Sequence, residues 1–433
     1  MSDSLPRLIA TWPSLVERRN RLLWVETLGH GGLFERQLLG RPVERLELGP
    51  PGRPEFRDVQ AVPQEVLNLS SQGYLGLSCD PRVMAAAVKA IETFGTHAGG
   101  PRLLSGTTRL HYELDQRLAE VFDAEGVATY PSGYAANLSA ISALFGSQDV
   151  VILDRQAHRS LYDGATMAGA VRRRFAHNDP DHLDHVLRRT AGARRRLVVI
   201  DGVYSMGGDI APVPALLGVV RRHSAFLLVD EAHAFGVIGQ TGRGIIEHFG
   251  LPSDAIDLRV GSLSKAIPAT GGFVAARREV VRLLRTLSRG TLFSAAMTPP
   301  DVAAALAGVD ILVAEPERVA RLQENAAAFR DQLTRHGVDV MGSQTAVIPA
   351  RMGDEEAALA AATELLSRGI YTSAIVSPGV PAGTERLRCC VTTLHAPDDL
   401  TSAASVIGEV VGRISSTSRV NVGGVRGQVA GSE

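Results

Sequence analysis

Four short apolar runs constrain the fold most: V-A-T-Y, D-V-V-I-L-D, L-V-V-I-D and F-L-L-V-D, spread between residues 127 and 230. They are β-branched and unbroken by polar residues, as strands buried on both faces must be. Helix-like segments separate them, so the pattern is a chain of βαβ units and a mostly parallel sheet flanked by helices. Three of the runs end in aspartate, Asp154, Asp201 and Asp230. Ligands of open α/β sheets bind at the carboxyl ends of the strands, so these three acids stand where chemistry is expected. A helix cap or turn is the plainer role for any one of them.

The 433 residues are too many for one ordinary core and suit a large domain with a smaller one. Residues 1–66 are expected to form a helical segment, Pro13 to Leu39, and a linker through Gly49-Pro50-Pro51-Gly52-Arg53-Pro54. Residues 67–300 form the large α/β domain and 301–415 a small α+β domain, and 416–433 a Gly/Ser-rich disordered tail. Asp80-Pro81 starts a helix, and a single long helix is expected from Asp301 to His336. The small domain is assigned strands near Thr345–Pro349 and Arg386–Thr392, and helices near Glu355–Ser367 and Pro397–Ser415.

A net charge of −1 gives no electrostatic case for nucleic acid or a membrane surface. The basic runs Arg172-Arg173-Arg174 and Arg194-Arg195-Arg196 are expected at strand edges as solvated faces. Cys79, Cys389 and Cys390 cannot build a disulfide framework or a zinc site, and no segment is long and apolar enough to span a bilayer. A reducing cytoplasm and no metal are the expectation.

Only two of the 45 basic side chains are lysines, Lys89 and Lys265. Arginine serves wherever a plain charge is needed, and lysine adds a deprotonatable amine that attacks carbonyls. Lys89, in A-A-A-V-K-A-I-E, suits a solvated helix surface. Lys265, in V-G-S-L-S-K-A-I-P-A-T-G-G-F-V, is a candidate Schiff-base former. Four motifs bear on it: Y-P-S-G-Y-A-A-N, running from a strand end into a helix whose N–H groups suit phosphate; D-R-Q-A-H-R-S; G-V-Y-S-M-G-G-D-I-A-P; and D-E-A-H-A-F-G. A helicase-type reading of D-E-A-H requires a Gly-Lys-Ser/Thr phosphate loop, and neither lysine follows a glycine. The other reading has Asp230 hold a pyridinium nitrogen, keeping the ring protonated and electron-withdrawing.

In their order these motifs, with G-G-P-R-L-L-S-G-T-T-R-L-H, resemble the α-oxoamine synthases of the class II aminotransferase group. The likeness runs from about Leu67 to Leu400, and the Gly-Pro-Arg is most similar to the palmitoyltransferase version. It implies a fold-type-I pyridoxal-phosphate transferase, working as a homodimer on an amino acid and an acyl thioester of coenzyme A or a carrier protein. A retro-aldol lyase or aminotransferase on the same scaffold is the alternative, and a non-catalytic partner subunit would be expected to lack the lysine. By that resemblance Lys265 would carry the cofactor, Asp230 would pair with its ring nitrogen, and His233 would bond its ring oxygen. His158 would stack on the ring, while Gly133, Tyr134 and Ser262 would bind the phosphate. Ser205 would line the site, and Ser294 would reach the neighbouring subunit's phosphate.

The chain departs from the family pattern in places. Gln72-Gly73 replaces Asn-Asp before Tyr74-Leu75-Gly76, Ser262 replaces a threonine, and Thr298 is inserted before Pro299-Pro300. Val376 stands where the family has the arginine that holds the amino acid's carboxylate. Either another basic group has taken over, with Arg386 and Arg388 at hand, or the amine substrate is not a simple amino acid and free glycine, alanine or serine binds weakly.

Overall fold

The computed structural model describes residues 36–38, 41, 43–51 and 64–425. Strands β1 (Arg36–Leu38), β2 (Arg45–Pro51) and β3 (Gln64–Asn68) open the chain. This corrects two expectations. The predicted helix from Pro13 ends in strand β1, its earlier part lying outside the described residues, and Gly49–Pro51 of the predicted linker belongs to β2. The reason is pairing: the register Arg45↔Leu67 to Leu48↔Gln64 turns Leu46 and Leu48 into the core, as strand alternation allows. A boundary at residue 67 also cuts β3.

The central sheet contains β4 (Gly126–Tyr130), β5 (Val150–Asp154), β6 (Val171–Phe175), β7 (Arg196–Asp201), β8 (Phe226–Asp230), β9 (Leu258–Ser262) and β10 (Gly272–Ala276). Its order is β4-β10-β9-β8-β7-β5-β6. From β9 to β6 all pairs are parallel, and β10 runs antiparallel to both β9 and β4. Val151, Ile152 and Leu153 of β5 and Val198, Val199 and Ile200 of β7 are fully buried. Each such side chain stabilises the fold by about 1.5–3 kcal/mol. The edge strand β6 carries Arg172, Arg173 and Arg174, all exposed, as a solvated face. The second basic run differs: Arg194 and Arg195 both clamp the buried Asp149, at 2.9 and 2.7 Å, and Arg196 donates to the Leu187 and His223 carbonyls.

Two helices replace the long one expected from Asp301 to His336: Pro299–Ala314 and Glu317–Arg335. Pro316 divides them, because it has no N–H to give and keeps the residue before it out of the helical region. The inserted Thr298 caps the first, its Oγ1 accepting from Asp301 N at 3.3 Å. The strands β11 (Val347–Arg351), β12 (Ile370–Tyr371), β13 (Ser373–Ile375) and β14 (Arg386–Cys390) follow. β11, β14 and β13 form an antiparallel sheet, and β12 pairs parallel with β3. Helix Glu355–Ser367 lies where expected, and helix Pro397–Val425 continues through the first ten residues of the predicted tail. The rest of that tail lies outside the described residues. Among the described residues no helix is long and apolar enough to cross a membrane.

Candidate active site

Asp154, Asp201 and Asp230 end three neighbouring parallel strands, with Asp201 and Asp230 directly paired in register. The β9–β10 loop brings Lys265 over the same edge. Helix Gly133–Leu144 starts beside it, because Gly272 and Gly133 pack backbone to backbone: a Cβ on Gly272 would lie 2.5 Å from Gly133 Cα. These elements enclose a cavity of about 400 Å³ lined by Lys265, Asp230, His233, His158, Gly133, Tyr134, Ser205 and Ser262. The structure thus brings together eight of the nine residues singled out above. Ser294 is the exception: it lies outside this cavity, half-buried next to Phe293, which is 82% exposed.

Lys265 is largely enclosed, and burial pulls its amine below the ordinary lysine range, with Asp230 opposing and Arg388 adding to the shift. Asp230 Oδ1 accepts from Ala232 N at 2.9 Å, and Oδ2 accepts from Asn137 Nδ2 at 2.7 Å. The same Asn137 amide donates to Ser160 Oγ at 2.9 Å, and Ser160 Oγ lies 2.7 Å from His158 Nδ1. Ser160 N also donates to His158 Nδ1, at 3.4 Å, so Nδ1 is an acceptor and the His158 ring proton is on Nε2. His158 N donates to Asp201 Oδ1 at 3.1 Å, fixing the residue that caps the helix Arg159–Met167. Burial, and then the neighbouring Asp230, push the Asp201 carboxyl well above the carboxylate range.

Burial also drives His233 well below the usual histidine range, with Lys265, Arg388 and His158 adding to it. Its Nδ1 lies 2.7 Å from the hydroxyl of Tyr74, itself fully buried and kept protonated by that burial. Donation from Tyr74 leaves the neutral imidazole with its proton on Nε2. Ser262 Oγ bonds Ser264 Oγ at 2.7 Å, and a Cβ on Gly133 would come within 2.9 Å of Ser262 Cβ. The bare backbone of Gly133 therefore leaves a cradle at the helix N-terminus, where first-turn N–H groups have no intrahelical partner.

Sequence reasoning gave no role to Tyr74, Asn137 or Ser160, although all three stand in quoted segments. Asn137 carried a usable signal: it lies four residues after Gly133, one turn along a helix whose start was already assigned. Arg388 also lines the cavity, with no ion pair among the described residues and its Nε left unpartnered. Val376 instead packs against the main core, and Arg386 is tied to the carbonyls of Thr384 at 2.8 Å and Met206 at 3.0 Å.

The sequence profile described as Aminotransferase class I and II matches residues 64–407. An 8-amino-7-oxononanoate synthase of Geobacter sulfurreducens is 44% identical over 355 residues, covering 81% of this chain and 90% of its own. The 8-amino-7-oxononanoate synthase 1 of Bacillus subtilis is 38% identical over 79% of this chain and 88% of its own. Among solved structures, the serine palmitoyltransferase of Sphingomonas wittichii superposes with a TM-score of 0.85 at 31% identity, covering 95% of this chain and all (100%) of that one. A serine palmitoyltransferase solved with its PLP internal aldimine gives 0.85 at 32% identity over 94% of this chain and 99% of that one.

Proposed function

This chain belongs to the aminotransferase class I and II family, among its α-oxoamine synthases, and we propose that the cavity around Lys265 is its catalytic centre. The activity is a pyridoxal-phosphate-dependent decarboxylative Claisen condensation of an amino acid with an acyl thioester, giving an α-amino ketone. The observation that carries the assignment is the convergence of a desolvated amine, a strand-end carboxylate, two histidines and an open helix N-terminus in one cavity.

Those groups fit pyridoxal phosphate. Lys265 would hold it through its amine, Asp230 would face the ring nitrogen, and His233 would give its Nε2 proton to the ring oxygen. His158 would cover the ring face, Gly133, Tyr134 and Ser262 would take the phosphate, and Ser205 would line the site. The bound cofactor supplies an electron sink for negative charge at the amino acid's α-carbon. With the cofactor held there, Lys265 Nζ would be placed to remove the α-proton, and burial holds its basicity below the ordinary lysine range. The unpaired Arg388 guanidinium holds the substrate carboxylate in place of an arginine at position 376, which accounts for Val376 with a simple amino acid as substrate. The new carbon–carbon bond forms at the thioester carbonyl, the thiol leaves, and the carboxyl departs as carbon dioxide.

The working unit we infer is a homodimer. Exposed Leu103, Leu104 and Phe293 lie on two segments joined by Ala296 N donating to Gly100 O at 2.9 Å, next to Ser294. That apolar surface suits a partner, and it puts Ser294 where it would meet the partner's phosphate site. Three free cysteines, two of them buried, suit a reducing cytoplasm. The division into a large domain and a small one likewise stands as our reading.

The test is to supply purified holoenzyme with a carboxyl-labelled amino acid and an acyl-coenzyme A, starting with the 8-amino-7-oxononanoate product that the relatives' names suggest. Labelled carbon dioxide, free thiol and ketone should appear in equal amounts, and none without the thioester. Amine transfer to a keto acid, or aldehyde release without thioester, would count against the proposal.

A further inference from the structure

A second cavity, of about 610 Å³, shares no lining residue with the cavity of Lys265. Its wall is largely apolar: Val237, Ile238, Leu322, Ala326 and Ala346 all line it, and all are buried. Exposed Gln240, Gln323 and Gln344 stand where it opens to solvent. A concave apolar body with a few placed polar groups is the usual build of a small-molecule site, and this volume falls in the usual range.

One cation lines this cavity, Arg330 of helix Glu317–Arg335, and it is poorly matched. It is half-buried, and burial lowers its pKa, with the Asp331 charge opposing. Its hydrogen bond runs to the Thr345 carbonyl oxygen at 3.3 Å, and it makes no ion pair among the described residues. Most of its five N–H donors are thus left without a protein partner. The lining acid, Glu247, is engaged elsewhere: Oε1 accepts from Thr241 Oγ1 at 2.7 Å, and Oε2 accepts from Arg243 N at 3.0 Å. Burial holds His248, the other titratable group of the wall, below the usual histidine range, so it is neutral at pH 7. An anion resting on the apolar wall would complete the site. One guanidinium matches the single charge of a carboxylate, whereas a phosphate monoester brings nearly two towards a wall that also holds Glu247.

The wall is also tied to two segments that reach the catalytic cavity. Val237 lies four residues after His233, and Ile210 lies five after Ser205. Gln323 Nε2 donates to Val237 O at 3.0 Å and to Gly239 O at 2.9 Å, and Gln344 Oε1 accepts from Ile210 N at 3.0 Å. Gly236, at φ 73°, packs against the neighbour of Lys265: a Cβ there would lie 2.5 Å from Ala266 Cβ. Side chains that line the second cavity therefore hold the backbone beside Ser205 and His233.

We propose that the second cavity is an effector site for a carboxylic acid with an aliphatic body. Its carboxylate pairs with Arg330, and its presence acts on the catalytic cavity through residues 205–210 and 233–239. The binding half stands on its own geometry, and the coupling half rests on the reading of the Lys265 cavity as the cofactor site.

The experiment titrates the holoenzyme with sodium octanoate, by calorimetry and by absorbance of the bound cofactor, with octan-1-ol as the uncharged counterpart. Octanoate should bind once per chain and shift the cofactor band. Octanol should bind about ten- to a hundred-fold more weakly, the usual worth of a charge-assisted contact. Arg330→Gln should weaken octanoate to the level of octanol and leave the unliganded cofactor band unchanged, while Arg330→Lys, which keeps the charge, should recover part of the affinity. No saturable binding, or equal affinity for acid and alcohol, would overturn the inference. So would octanoate binding that survives Arg330→Gln, because it would place the acid in another cavity. Arg330-dependent binding that leaves the cofactor band unmoved would overturn the coupling. Neither readout uses the condensation, so failure of that reaction would leave this test standing.

Discussion

At Asp230 the proposed role turns on one charge, which would separate holding the cofactor from using it. Asparagine keeps the shape of the side chain and removes the charge that favours a protonated ring nitrogen. Two pKa units lost there correspond to about 2.7 kcal/mol. Asp230→Asn should therefore keep part of its cofactor, while α-proton exchange, followed by deuterium uptake, falls about a hundred-fold. Normal exchange would refute the role. At Arg388 the expected effect is on binding: Arg388→Leu should raise the amino acid's KM about ten- to a hundred-fold. Val376→Arg should leave it nearly unchanged, since Val376 is half-buried against the core and does not line the cavity. Tightening by the new arginine would show that the carboxylate lacks its partner in the native chain. Lys265 was legible because lysine is so rare in this sequence. Tyr74 and Ser160 were not, because their roles lie in contacts across 159 and 23 residues of chain that no local pattern encodes, whereas Asn137 sits one helical turn after Gly133.

Among the elements, the Tyr204–Asp209 loop joins the two cavities to the C-terminal sheet. His177 bridges Asp154 and Asp209, both at 2.9 Å, and pins the loop to β5. Gln344 N and Thr345 Oγ1 donate to Gly208 O at 3.0 and 2.9 Å, and tie it to the segment entering β11. Burial opposes charge on His177, but the two carboxylates outweigh it and push its pKa up from 6.5 to about 9. The folded chain thus holds this proton more tightly than the unfolded one. The stabilisation is complete below pH 6.5 and is lost as pH rises through about 9. It should amount to about 2 kcal/mol after solvent screening. Denaturant midpoints measured across that range should fall for the native chain, and His177→Gln should flatten the slope. An equal slope in both would rule the bridge out as its source. Gly208, at φ 69°, has the Val347 carbonyl oxygen where a Cβ would stand. Gly208→Ala should therefore displace the loop and destabilise the protein by roughly 2 kcal/mol or more.

The buried parallel strands could be read from sequence because both their faces are apolar. The antiparallel β10 could not, since G-F-V-A-A reads alike in either direction and its orientation follows from pairing with β4 and β9. The break at Pro316 was legible from proline chemistry, yet the surrounding helical periodicity hid it.

For the molecule as a whole, the proposed homodimer would join the fold to the chemistry. Light scattering should give twice 46.0 kDa, and Phe293→Asp should yield monomer that loses cofactor on dialysis. A native monomer with full activity would remove Ser294 from the site. The central claim, that the cavity around Lys265 is the catalytic centre, is tested most directly by borohydride reduction of the holoenzyme and peptide mapping. The chain offers only two lysines, Lys89 on an exposed helix face and Lys265 in the cavity. The account predicts one pyridoxyl group per chain, on the peptide containing Lys265, and none after Lys265→Ala. A pyridoxyl group on Lys89, or label persisting in the Lys265→Ala variant, would contradict it.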